Sequence, residues 1–270
     1  MPELPETETI ARDLEGLLPG RAIERVTVHR PDVLRGPLAR GFAKHLVGRV
    51  IKRVWRRAKT VVLSLSGDHH LLVTPRFTGS LQFNTPPDEY ATIVWALSDG
   101  AFLHYRDVRR LGTVTLADPV ALAAFDRSLG VEPLTDAFTA TALSGILRGS
   151  RAAVKKVLMD QRRIAGVGNI YANEALWRAG IDPSRQAASL TGAAAGVLTT
   201  ELRAVLQAGI EARGTTFRDY RDARNERGGF AASLEAYGRG GAPCSRCGTR
   251  LTETHAIDGR STVFCHQCQR

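Results

Sequence analysis

Apolar residues recur at helical spacing early in the chain. Ile10, Leu14, Leu17 and Leu18 fall on one face, and Pro19-Gly20 ends the pattern. This predicts a helix over residues 7–18, with Pro5 tolerated only as part of a first turn, where a missing N–H is no loss. From Ala22 to about Leu116 the period shortens. Stretches such as Val61-Val62-Leu63-Ser64-Leu65 and Thr92-Ile93-Val94-Trp95-Ala96-Leu97 are separated by Gly67-Asp68 and Asp99-Gly100 turns. They predict an antiparallel β domain. Helical spacing returns from about Pro119 to Ala212, in Leu122/Phe125/Leu129, Val154/Val157/Leu158 and Leu198/Leu202/Leu206. Gly, Pro and Asp collect between Gly130 and Thr139, which marks a boundary. After Gly214 the chain turns polar and Gly-rich.

Composition narrows the picture. The 270 residues are 43% hydrophobic, enough for a sizeable core. No apolar run approaches the roughly 18 residues of a membrane span, and no signal-peptide pattern opens the chain. A cytosolic protein is expected. Lys and Arg exceed Asp and Glu by 37 to 27, a net charge of +10, which points to a polyanion such as nucleic acid.

All four cysteines lie near the C-terminus, as Cys244-x-x-Cys247 and Cys265-x-x-Cys268, 17 residues apart. Paired knuckles at this spacing predict a four-thiolate zinc site on a hairpin. Two disulfides are the alternative, disfavoured by a reducing compartment.

The opening MPELPE suggests chemistry. Removal of Met1 leaves Pro2 as a secondary amine. An α-amino group titrates near 7.7–8.0, well below lysine, and a helix N-terminus lowers it further. Such an amine is a competent nucleophile, with Glu3 beside it for proton transfer and Glu6 three residues on. The alternative is that Glu3 and Glu6 only complement the helix dipole. Gly166-Val167-Gly168-Asn169 reads either as a phosphate-binding turn aided by Lys155 or as plain helix capping. The basic runs 52–59 and 106–110 are solvated strand faces or a path for a DNA backbone. Phe77 sits in a turn where a large side chain is hard to bury, and exposed apolar tips can wedge between bases.

Taken together, MPELPE, RDVRRLG (106–112), KKVLMDQRRIAGVGNIYANEAL (155–176), YGRGGAPC (237–244) and GRSTVFCHQC (259–268) resemble the bacterial formamidopyrimidine-DNA glycosylases, relatives of endonuclease VIII. The resemblance covers essentially the whole length, and Leu4 favours the formamidopyrimidine branch. It implies an α+β multidomain chain. An N-terminal helix and antiparallel β-sandwich occupy residues 1–132, a helix–two-turn–helix domain 133–230, and a zinc-finger β-hairpin 231–270. It implies a bifunctional DNA glycosylase and AP lyase that flips 8-oxoguanine or formamidopyrimidines out of duplex DNA. Pro2, Glu3, Lys59 and Arg260 would form the catalytic set. Glu6, Phe77, Tyr90, Arg109, Arg110, Leu111, Arg151, Lys155 and Asn169 would contact DNA, with the four cysteines around one structural Zn2+. A monomer in the bacterial cytosol is expected, with a lesion-covering loop around residues 215–229.

Departures stand out against the family pattern. HLGMTG is replaced by Thr74-Pro75-Arg76-Phe77-Thr78-Gly79, so Thr74 replaces a DNA-contacting histidine and Phe77 a void-filling methionine. Leu111 stands for the usual wedging phenylalanine, Tyr90 for another histidine, and Arg109 matches. These changes predict altered opposite-base discrimination or lesion range. They leave open two other readings, removal of oxidised pyrimidines in the manner of endonuclease VIII and a catalytically silent DNA-binding protein.

Overall fold

A computed structural model describes residues 2–270; Met1, and with it the expected removal of that residue, lies outside the described residues. The chain divides into two compact units. The first runs from the N-terminus to Ser128 and takes in Ile210–Gly229; the second comprises Leu129–Gly209 and Phe230–Arg270.

The first unit opens on α1 (Leu4–Glu15). This helix starts three residues before the expected Thr7, because Pro5 lies in the first turn, and it ends at Gly16 rather than Pro19. The chain then forms β1 (Ile23–Val28), β2 (Leu34–Arg35), a short α2 (Phe42–Leu46), β3 (Ile51–Arg57), β4 (Thr60–Leu65), β5 (His69–Thr74), β6 (Gly79–Phe83), β7 (Ala91–Leu97), β8 (Phe102–Asp107) and β9 (Thr113–Ala117). The strands make two sheets, ordered β1-β7-β8-β6 and β2-β9-β5-β4-β3. Pairing is antiparallel except for the two-residue β2, which runs parallel to β9. Ile10 and Leu14 of α1 share one core with Val61 and Leu63 of β4, Val73 of β5, Ile93 and Trp95 of β7, and Leu103 and Tyr105 of β8. The expected sandwich is therefore present. Its core is built on period-two alternation, reinforced by the helical stripe. After it, α3 (Pro119–Arg127) lays Leu122 and Phe125 half-buried against Val62, Leu72 and Ala117.

The second unit contains α4 (Ala140–Arg148), α5 (Val154–Met159), α6 (Asn169–Ala179), α7 (Gly192–Glu211) and the hairpin strands β10 (Thr252–Thr254) and β11 (Thr262–Phe264). The last residues of α7 already belong to the first unit. Leu198, Leu202 and Leu206 are fully buried, as their four-residue spacing predicts. Glu253 pairs with Val263 in the hairpin, and Trp177 of α6 packs with Cys244, Leu251, Val263 and Cys265. No helix among the described residues is long and apolar enough to cross a membrane.

Candidate functional site

The N-terminus is held from several directions. Pro2 is buried, and Glu3 and Glu6 are 2% and 1% exposed. Glu3 and Glu6 close a reciprocal capping box, in which Glu6 Oε2 accepts the Glu3 N–H at 2.8 Å. Capping is thus real, but it is not the whole role of Glu6. Its other oxygen accepts the Thr215 N–H at 2.7 Å, 209 residues away in sequence. Thr7 Oγ1 donates to the Glu3 carbonyl at 2.9 Å and reaches the Ala58 carbonyl at 3.4 Å. Ala58 and Lys59 form the tight turn between β3 and β4, with Ala58 at φ 54°, so half-buried Lys59 is tied to the first turn of α1. The preceding basic run is divided. Arg56 pairs with Glu8 at 2.7 Å and Arg57 with Asp126 at 2.5 Å, while Lys52 and Arg53 face solvent. Burial pulls the Glu8 carboxyl upward, but Arg56 and Arg12 outweigh it and hold the group below its usual value.

Residues 213–229 form a loop closed at its base. Thr215 bridges Gly229, and Gly228 N–H donates to Thr216 Oγ1 at 2.9 Å. Arg213 spans Asp13 at 2.6 Å and the fully buried Asp222, whose other oxygen accepts the Arg224 and Glu226 N–H groups at 2.9 and 2.8 Å. Tyr220 Oη donates to the Glu6 carbonyl at 3.3 Å. The tip, residues 217–219, is exposed. A hollow of about 400 Å³ lies between this loop and β6, lined by Ser80, Gln82, Arg218 and Asn225 among others.

The two turns singled out for departures from the family pattern come together. The 75–78 turn joins β5 to β6 and the 108–112 turn joins β8 to β9; both pass from one sheet to the other, β6 pairing with β8 and β5 with β9. Buried Asp107 fastens them. One oxygen accepts Thr78 Oγ1 at 2.6 Å, and the other accepts Tyr105 Oη at 3.0 Å and the Gly112 N–H at 2.8 Å. Thr78 Oγ1 in turn accepts the Arg109 N–H at 2.9 Å. A Cβ at Gly112 would lie 1.9 Å from Tyr105 Oη and 2.8 Å from the Thr74 carbonyl oxygen, so a larger residue would displace this network. On this base Phe77 (φ 45°) and Leu111 stand 44% and 40% exposed, and the Arg109 guanidinium lies 4.8 Å from the Phe77 ring centre. Tyr90 is also exposed, with Arg106 5.0 Å from its ring. Arg110 is turned aside onto Asp32 at 3.1 Å.

In the second unit, Gly168 caps α6 and Asn169 is its first residue. The Asn169 amide therefore does not cap its own helix; it donates to the Ser261 carbonyl at 3.0 Å. Lys155 of α5 is fully buried and also reaches the hairpin, donating to Thr262 Oγ1 at 2.6 Å. Arg151 is exposed, and the Arg260 side chain is 59% exposed. Glu174, fully buried, accepts the N–H groups of Glu235, Ala236 and Tyr237 at 3.0, 2.9 and 2.8 Å. Burial pushes its carboxyl up, and those three donors limit the rise.

The Sγ atoms of Cys244, Cys247, Cys265 and Cys268 lie within 4.8 Å of one another, so the hairpin can hold one metal ion. Hydrogen bonds from Thr249 bring the Cys247 thiol down to about 6, while the hydrogen bond with Cys247 pushes the Cys268 thiol up to about 12, so without a metal the four sulfurs share protons unevenly. Asp107 and Glu174 lie inside stretches that carry the resemblance, Thr78 in the 74–79 turn compared with it, and Asp222 outside them, but nothing local in the sequence names their partners, which are set by tertiary pairing. A polar residue inside an apolar alternation is the only hint available.

The family model described as the formamidopyrimidine-DNA glycosylase N-terminal domain matches residues 1–114, and that of the H2TH domain residues 129–221. The formamidopyrimidine-DNA glycosylase of Pelotomaculum thermopropionicum is 41% identical over 100% of the chain and 99% of its own length. That of Moorella thermoacetica is 44% identical over 93% of each. The crystal structure of MutM (Fpg) from Thermus thermophilus superposes with a TM-score of 0.90 at 35% identity, covering 99% of this chain and 98% of that one. A Lactococcus lactis Fpg variant bound to Fapy-dG-containing DNA gives 0.92 at 30% identity, with both chains fully covered.

Proposed function

The chain belongs to the formamidopyrimidine-DNA glycosylase family, a family of base-excision-repair enzymes, and from that premise we propose that it excises oxidised purines from duplex DNA and cleaves the strand there, with Pro2 as nucleophile. The observation that carries the reading is the bridge made by Glu6. One carboxylate holds the residue next to Pro2 and the base of the 213–229 loop, so the attacking amine and a cover over the flipped nucleotide are set by a single group.

Pro2 stands before the N-terminus of α1, where the helix dipole disfavours the protonated amine. Its nitrogen attacks C1′ of the extruded nucleotide and the glycosidic bond breaks. The base leaves with a proton, and loss of the amine proton with ring opening gives an iminium. Glu3 moves protons to and from the sugar. The iminium acidifies C2′, so β-elimination releases the 3′ phosphate and δ-elimination the 5′ phosphate. Lys59, tied to α1 through Ala58, assists at the adjacent phosphate, and Arg260 grips the phosphates flanking the lesion. Tyr90, Arg109, Arg110, Arg151 and Asn169 are assigned to the DNA-binding surface, with Phe77 and Leu111 filling the void left by the base; Glu6 and Lys155, expected among the DNA contacts, are buried and bonded within the protein, and support that surface from beneath. The four cysteines suit a structural Zn2+, since four thiolates leave no open coordination position.

A wider lesion range has one observation behind it. The wild-type Lactococcus lactis relative, 29% identical, has been solved with DNA containing an oxidised pyrimidine. Borohydride trapping tests the central claim. With duplexes carrying 8-oxoguanine or an abasic site, a covalent adduct on the N-terminal peptide is expected. Protein verified to lack Met1 that forms no adduct with either substrate sinks the proposal.

A further inference from the structure

Lys155 has no exposed surface. A buried ammonium is costly unless charge and hydrogen-bond acceptors replace its water. The hairpin supplies both. Nζ lies 3.5 Å from Asp258 Oδ1 and donates to Thr262 Oγ1 at 2.6 Å and to the Ser261 carbonyl at 3.2 Å. Asn169 donates to the same carbonyl at 3.0 Å. Asp258, with a side chain 8% exposed, accepts the Arg260 N–H at 3.1 Å. Gly259, at φ 78°, lets the backbone turn between them. The peptide is thus gripped on both sides of Arg260, whose side chain is 59% exposed, with its guanidinium 3.9 Å from Asp258 Oδ2.

We propose that Asp258 and Lys155 are positioning residues, a buried pair that fixes the turn from which Arg260 reaches a DNA phosphate. The inference rests on Arg260 being a phosphate ligand. Two arguments favour it over a direct phosphate contact by Lys155. Reaching a phosphate requires Lys155 to leave a site with three partners, leaving buried Asp258 with only the more distant, solvent-exposed Arg260 guanidinium as counter-charge. A carboxylate beside a phosphate-binding arginine also opposes DNA by charge alone, so its presence needs another reason. Holding the Arg260 N–H and neutralising Lys155 supply that reason.

The test is a double-mutant cycle on the metal-replete full chain, reading the Kd for a short duplex carrying a tetrahydrofuran abasic-site analogue. Asp258→Asn is expected to bind about tenfold more weakly, the scale of one charge-assisted hydrogen bond, although it removes a negative charge. Arg260→Ala is expected to weaken binding and lower the salt slope by about one. The double variant should bind no more weakly than Arg260→Ala alone. Asp258→Asn binding as tightly as the parent or tighter, or losses that multiply in the double variant, overturns the inference. If Arg260→Ala loses nothing, the phosphate role of Arg260 fails and this inference with it. Metal content and melting temperature show whether Asp258→Asn keeps its hairpin. Should it not, hydrogen exchange at the Arg260 amide of the unaltered protein decides. Protection without DNA is expected, and exchange at the rate of an open loop overturns the pairing.

Discussion

Replacing Thr78 with valine keeps the shape of the side chain and removes its hydroxyl. Two hydrogen bonds go with it. The bond to the Asp107 carboxylate at 2.6 Å is to a charged, buried acceptor, and the bond from the Arg109 N–H at 2.9 Å is neutral. The first is worth about 1.5–3 kcal/mol and the second about 0.5–1.5 kcal/mol. The methyl that replaces the hydroxyl returns up to about 0.8 kcal/mol of apolar burial. A net loss of about 2–3 kcal/mol is expected, confined to the first unit. At roughly 2–4 °C per kcal/mol for a unit of this size, its melting temperature falls by about 5–10 °C. Because the chain has two units, a whole-protein melting curve mixes their transitions. Hydrogen exchange by mass spectrometry on residues 75–83 and 103–113 isolates the relevant one. Thr78→Ser is the control, since it keeps both hydrogen bonds and loses only a methyl group. If valine and serine destabilise these peptides equally, the hydroxyl network is not what fastens the two turns together.

Acid stability should depend on His104. Burial pushes its imidazole down to about 4, with both ring nitrogens lacking a hydrogen-bond partner. The unfolded chain, near 6.5, takes up the proton first, so stability is present above about 6.5 and lost as pH falls toward about 4. Between about pH 7 and about pH 5 the loss is about 2 kcal/mol. His104→Leu should flatten that slope in urea unfolding, and an unchanged slope contradicts the assignment. Removing the metal should loosen the 244–268 hairpin and weaken DNA binding; unaltered binding by protein shown to be metal-free refutes a structural role. Phe77→Met combined with Leu111→Phe should shift base excision toward the family's usual preference opposite cytosine. Single-turnover rates against the four opposite bases measure this, and identical profiles before and after refute the link.

Short-range patterns in the sequence locate most elements. The Leu198, Leu202 and Leu206 spacing marks α7, and the apolar runs in β4 and β7 mark the sandwich; β4 is buried on both faces, with Val61 and Leu63 in the main core and Val62 under α3. The start of α1 lies three residues ahead of the apolar pattern, since Pro5 and the two glutamates carry no apolar signal. The cysteine pairs are legible because metal geometry constrains local spacing. Glu6 is recognisable as a capping residue, yet its bond to Thr215 depends on how 209 intervening residues fold. Lys155 shows the opposite failure. In the sequence it reads as a cation available to phosphate, and only its burial against the hairpin reveals where its charge is spent.

Asp107 fastens the two turns through a threonine hydroxyl, a tyrosine hydroxyl and a backbone N–H, none of which belongs to Phe77 or Leu111. Mount and tool are therefore separable. The residues at 77 and 111 can be exchanged for others of different bulk without unfastening the two turns, because none of the bonds that hold the mount belongs to either tip. A chain that keeps Pro2, Glu3 and Arg109 while altering both tips is what such separability allows.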